Sequence, residues 1–527
     1  MRRLIPIVIP CVFLSGCFGP GEGVEVPTDE IYFPVGLALD QDASHLFVVN
    51  SDFDLQYNGG AVQSYDLNEL VAEELPRHCH VDSDCPTTKT LGAGSDAQEV
   101  GLRFKADVCD PDLSLCVPAL GESPCPRGDR QDADRLLFPG RCNPIPPRAA
   151  QIDAVKIGAF ATDAVIRQRP PGSSGFAERL FVPVRGDSTL HWLDVEDGKL
   201  HCGAESTADH ACDDAHRAGN NASESKRGLT LNSEPFAIDA DARGDTLVVS
   251  NQTTGTASLF VNGAWDDSGP RLAFALRSDR IPSRPVGVAA VPQPTAEGED
   301  PNPFHAYMMT FRNSAQVRLL RFAPDGSEAD DLANDPRPYL VDAGGVGIDA
   351  NSVGSDSRGI AIDASAREAA KARCAEGDQA CASAAGLVPL DVYVANRAPS
   401  TLLIGRTQPP SEYPYFFQTV ALTTGPSRVV IGHVTTPSGE LETRVFVACF
   451  DSRRVFVYDP QRARVETEIL TGRGPHAMAV DTERKLLYVG HFTDSYVGVY
   501  SLDLAFPATY GTMLGTLGTP KPPRSSK

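Results

Sequence analysis

The chain has 527 residues and carries 69 acidic against 47 basic side chains, for a formal net charge of −22. So acidic a surface repels polyanions, which excludes nucleic acid as a partner and excludes charge-driven binding to anionic lipid. Aromatic residues make up only 7% while Gly and Pro together number 88, a balance that suits many turns between short strands.

The N-terminus reads as a targeting segment. Met1-Arg2-Arg3 is basic, and Leu4 to Leu14 is apolar but too short to cross a bilayer. Leu14-Ser15-Gly16-Cys17 follows and resembles the lipobox of bacterial lipoproteins. The resemblance implies that residues 1–16 are a cleaved signal peptide and that Cys17 is lipid-modified. Residues 17–30 then form a short tether. Phe18 after the Cys points to the outer membrane in a Gram-negative host, so the expected location is the cell envelope, with the lipid as the only membrane contact. Losing Arg2 and Arg3 takes the net charge from −22 to −24.

Of 13 cysteines, Cys79, Cys85, Cys109, Cys116, Cys125 and Cys142 cluster inside residues 76–147, a Pro- and Asp-rich stretch with few apolar runs. Cys202 with Cys212 and Cys374 with Cys381 are local pairs, and Cys449 stands alone. An exported protein keeps such cysteines oxidised, which predicts disulfides rather than zinc. Six cysteines allow fifteen connectivities, and the sequence does not choose among them.

A three-strand pattern recurs seven times. Its first strands begin at 34, 157, 233, 285, 357, 426 and 475, with shortest spacings of 49 and 52 residues. In the first copy Pro34–Asp40 is followed by the apolar Leu46–Asn50; in the second, Ile157–Asp163 by Leu180–Val184; in the last, Pro475–Asp481 by a strand ending at His491. Roughly fifty residues is the length of four short strands and their turns, one propeller blade. Residues 31–520 are therefore predicted to form an all-β, seven-bladed propeller with the Cys-rich insertion in blade one. Between the first two strands of the fifth copy, Ala364 to Ala385 is Ala-rich and helical in pattern. Seven residues of unbroken helix separate Cys374 from Cys381 by about 10.5 Å, too far for a disulfide, so the helix must break near Gly377.

The units resemble YVTN-type bacterial propeller repeats, in which a Pro-x-Gly-Ile-Ala-like strand precedes a Tyr-Val-x-Asn-like one. Leu46–Asn50, Thr246–Asn251 and Val392–Asn396 match best. The residue ending the second strand is Asn50, Val184, Asn251, Thr310, Asn396, Cys449 and His491 in turn, so no single ligand is shared by that column.

Propeller ligands occupy one end of the central channel. By register, that end gathers Arg185, Arg312, Arg397, Asp52, Asp187, Asp451 and Asp494 from loops after second strands, Arg284, Arg358, Arg428 and His476 from loops between blades, and His491 from a second-strand end as a further binding candidate. Several arginines at one mouth of an acidic protein suit a small anionic ligand, unless they pair with neighbouring carboxylates. His491 and Cys449 hold equivalent places in adjacent blades, and a buried free thiol acting as a small hydrophobe is the commoner use of such a Cys. No Gly-x-Ser-x-Gly, His-Glu-x-x-His or phosphate-binding loop occurs, and no catalytic residue, metal or cofactor is assigned. The expected function is a lipid-anchored binding or scaffold module for a protein or a small anion. The alternative is a lactonase-like or other hydrolase with a site in the channel mouth.

Overall fold

The computed structural model describes residues 24–91, 98–117, 143–171, 175–262, 265, 268–292, 306–323, 338–347, 356–375 and 377–521. Cys17, Cys125 and Cys142 lie outside them. Seven antiparallel sheets follow one another along the chain, each with its first strand innermost and its fourth outermost. Blade one comprises Pro34–Leu39, His45–Asn50, Gly60–Asp66 and Gln151–Ile157. Blade seven comprises Pro475–Asp481, Leu486–His491, Tyr496–Ser501 and Met513–Leu517. Their inner strands pack on each other, so the ring is closed. The molecule is a seven-bladed β-propeller.

The core lies between the blades. Seven apolar clusters each combine residues of two neighbouring blades, one cluster per seam. The alternation of the second strands explains this. In blade six, Val445, Val447 and Cys449 face blade five, while Phe446 and Ala448 face blade seven. In blade one, Phe47 and Val49 face blade two, while Leu46 and Val48 face blade seven. Successive side chains point to opposite faces, so a strand buried on both sides is apolar throughout.

Inner strands approach one another closely where the repeat has glycine. A Cβ on Gly287 would lie 2.1 Å from the Arg358 carbonyl oxygen in the next blade. One on Gly36 would lie 2.8 Å from the Ala164 Cβ, and one on Gly359 2.7 Å from the Val429 nitrogen. The glycine of the Pro-x-Gly strand is thus a contact requirement between blades.

Every blade has four strands of its own, and in blade two a two-residue fifth strand, Arg217–Ala218, also pairs with the third. The seam between the last blade and the first is reinforced by the segment leaving the insertion: Ile145 donates to Thr516 and accepts from Gly518, pairing in parallel with the outer strand of blade seven. The insertion is preceded by a helix the sequence reading did not anticipate, Leu67–Glu74, capped by Asp66 and anchored by the buried Leu67 and Leu70. Two small hairpins follow, Thr88–Leu91 with Gln98–Gly101 and Val108–Asp110 with Leu115–Val117. They are stapled by Cys79–Cys109 and Cys85–Cys116, around a satellite cluster of its own. Cys202 pairs with Cys212, and Cys374 with Cys381. The last pair forms because the helical stretch breaks into Ser365–Lys371 and Gln379–Gly386, with Gly377 in a left-handed conformation at φ 80°.

Two registers differ from the sequence reading. The inner strand of blade two is Val165–Gln168, with Ala161 bridging Val184, rather than Ile157–Asp163. Ile157 ends the outer strand of blade one against Gly60, and the turn through Phe160, at φ 59°, uses the next residues. In blade four Pro285 faces Phe311, not Thr310. No polar residue marks that strand end, and the Thr310 hydroxyl instead donates to the Arg358 carbonyl at 2.8 Å.

Gly287→Ala should lower stability by about 2–3 kcal/mol, because a methyl group there must displace the backbone of the neighbouring blade. Gly347→Ala, where a Cβ meets nothing within 4 Å, should stay near wild type. Urea denaturation of both variants measures the difference.

Candidate functional site: an aromatic mouth over a cross-channel ion pair

The inner strands begin, and the second strands end, at the same end of the channel, because Pro34 faces Asn50, Pro426 faces Cys449 and Pro475 faces His491. The column of strand-end residues is buried and structural. Asn50 accepts from the Tyr32 backbone and donates to Gln63, Asn251 donates to the Asn232 carbonyl, and Asn396 donates to the Pro399 carbonyl. Each asparagine ties a loop to its own blade. His491 is fully buried, stacked on Tyr496 at 4.1 Å and within 3.3 Å of the Tyr500 hydroxyl. Burial holds its pKa down to about 3, so it stays neutral. Cys449 is a free, buried thiol whose pKa burial pushes up to about 11. It packs in the seam between blades five and six as a small hydrophobe.

Beyond this column the mouth is lined by phenylalanine. Phe492 stands with its ring 5.1 Å from those of Phe33 and Phe53 and 6.2 Å from Phe450. Phe53 reaches Phe160 edge-on at 6.2 Å and is itself 51% exposed. Between the rings of Phe53, Phe160, Phe236, Phe450 and Phe492 lies a cavity of about 150 Å³. Its polar lining consists of Ser51, Thr162, Arg185 and His476. Sequence reasoning missed this cluster, because the rings come from different columns of the repeat. Phe33 and Phe160 precede inner strands, Phe236 lies within one, and Phe53, Phe450 and Phe492 follow second strands. The available signal was a phenylalanine directly after the second strand in blades six and seven, where an exposed loop is ordinarily polar.

Arg428, on the inner strand of blade six, reaches Asp163 in blade two with both guanidinium ends, one of the bonds at 3.1 Å. The two blades are not neighbours, so the pair is a strut across the channel. Asp163 is nearly fully buried and also accepts from the Ile238 backbone of blade three at 3.3 Å. His476 lies near the strut. Burial first, then the charges of Arg428 and Arg358, lower its pKa to about 4 against the opposing pull of Asp163.

The other candidate arginines are mostly paired. Arg185 donates to Glu234 at 2.8 Å, and Arg397 to Asp451 at 2.5 Å. Arg358 donates to Asp356 at 2.8 Å, and Arg312 lies 3.5 Å from the same carboxylate. Burial, with Arg312 and Arg397 adding repulsion, holds the Arg358 pKa below its usual value despite Asp356. Arg284 is exposed at φ 58° and, among the described residues, takes no part in an ion pair. Asp52 accepts from the Tyr57 backbone at 3.0 Å, and burial lifts its pKa to about 6. Asp187 is held by Thr189 and His191, and Asp494 by Arg473. Among the described residues, the one set of three His, Cys, Asp or Glu side chains close enough to share a metal ion is Cys79, Cys85 and Cys116, all bound in disulfides.

No protein-family model and no curated protein matches the chain. Among solved structures it is similar to a protein from Lactobacillus plantarum, at 11% identity over 84% of this chain and 86% of that one, with a TM-score of 0.41. It is also similar to the periplasmic gluconolactonase of Pseudomonas aeruginosa, at 14% identity over 84% and 86%, with a TM-score of 0.40. The fold assignment rests on the strand pairing described above.

Arg428→Ala should cost about 3 kcal/mol in urea denaturation, since it strands the buried Asp163 carboxylate. The same change should raise the pKa of His476 from about 4 by removing a repelling charge and leaving Asp163 uncompensated, a shift that histidine NMR titration reads directly. An unfolded histidine takes its proton near 6.5, so the neutral His476 withdraws stability as pH falls from about 6.5 towards 4.

Proposed function

We propose that this is an exported, lipid-anchored binding propeller of the bacterial cell envelope, whose channel mouth captures an apolar, ring-sized group. The observation that carries the reading is the phenylalanine-lined cavity of about 150 Å³. An apolar cavity of roughly that size accommodates a benzene ring. The strut beneath it gives the cavity a fixed floor, and inter-blade packing holds its walls, so little ordering accompanies binding. The lipobox-like Leu14-Ser15-Gly16-Cys17 supports anchoring through Cys17. Five of the six candidate arginines are engaged with carboxylates, which moves the weight of recognition from charge to the rings.

A solvatochromic apolar dye should bind the mature protein with enhanced emission. Phe53→Ala and Phe492→Ala should each weaken it about tenfold, from the apolar area that one ring contributes. Dye binding indifferent to both substitutions would sink the reading. The hydrolase alternative is checked on the same preparation: turnover of simple lactones, together with a stoichiometric metal by elemental analysis, would replace a binding role with a catalytic one.

A further inference from the structure

The cavity is not uniformly apolar. Arg185 lines it from blade two, with one guanidinium nitrogen on Glu234 and its buried Nε without any hydrogen-bond partner. The Arg185 side chain keeps 26% of its surface exposed, and an anion entering the cavity would pair with its guanidinium. Glu234 does not belong to Arg185 alone, since it also accepts from Thr253. Across the mouth, blades four to six present Arg312, Arg358 and Arg397 against Asp356 and Asp451, three cations for two carboxylates among the described residues. Arg428 and Asp163 cancel each other. His476 joins the two sides: it lines the cavity, contacts Phe492 at 6.2 Å and senses both Arg428 and Arg358.

We infer that the mouth selects an aromatic carboxylate, with the ring among Phe53, Phe160 and Phe492 and the carboxylate on the guanidinium of Arg185. The inference rests on the mouth being a binding site and adds the class of ligand. Ring and charge are read by different walls, so each has its own variant. Ser51 and Thr162 also belong to the polar part of the cavity wall. Arg185 is a binding residue here, and no bond is made or broken.

Isothermal titration calorimetry with phenylacetate and with its uncharged analogue phenylacetamide tests this. Phenylacetate should bind about tenfold more tightly than the amide, the worth of one charge-assisted hydrogen bond in a partly dry site. Arg185→Gln should bring the two to within about twofold. Glu234→Gln, which releases Arg185 from its internal partner, should tighten phenylacetate a few-fold and leave the amide unchanged. This second variant keeps the test independent of any folding defect in the first. Phe492→Ala should weaken acid and amide alike. Equal affinity for acid and amide overturns the inference while the binding role of the mouth stands. Failure of either compound to bind, with the apolar dye also failing, overturns both. Loss of acid binding in Glu234→Gln overturns the inference alone.

Discussion

Everything in this structure depends on the seam between two blades. A single four-stranded sheet of this composition has apolar side chains on both faces and cannot bury either by itself. Stacked radially, each face meets a neighbour, and seven seams replace one central core. Second strands such as Leu486–His491 and Leu441–Cys449 are buried along the lengths that meet both neighbours. At roughly 25 cal/mol per Å² of apolar surface removed from water, these strands supply the main stabilisation. The cost falls on the inner strands, which crowd at the axis and admit only glycine at Gly36, Gly287 and Gly359.

Crowding at the axis leaves a second problem, which is what fills the channel. Polar inner-strand groups fill it by pairing across and between blades. Asp163 accepts from Arg428 and from the Ile238 backbone, and Asp239 accepts from Arg167 and from the Ala290 backbone. Charges buried this way are held by several partners each, which is the condition under which burial is tolerated. The result is a floor that is polar below and aromatic above. The mouth thus inherits its geometry from interactions whose first role is structural.

The architecture was legible in the sequence because its signals are local and repeated. An apolar strand every fifty residues needs no knowledge of what it packs on, and the break at Gly377 followed from the reach of one disulfide. Registers failed where local signals were ambiguous: Ile157 continues one blade instead of opening the next, and Phe311 gives no polar mark at a strand end. The mouth was legible only in part. The register placed Arg185 and His476 at the end of the channel where the aromatic cavity lies, with Arg428 close by. Nothing in the sequence said that Arg428 would cross it, since its partner Asp163 is 265 residues away on a strand whose frame was misread. The aromatic cluster escaped because six phenylalanines in different repeat columns converge only when the ring closes. His491 looked unusual for its column, and its burial between Tyr496 and Tyr500 makes it a packing residue.

The described chain begins at Val24, which pairs with Tyr57 and accepts a hydrogen bond from Asn58. That loop also carries Phe53, between the second and third strands of blade one. Entry point and mouth therefore share one rim of the disc. A leash upstream of Val24 would pull on this rim and not on the opposite one. Whatever is attached upstream of Val24 therefore joins the disc on the side at which the cavity opens.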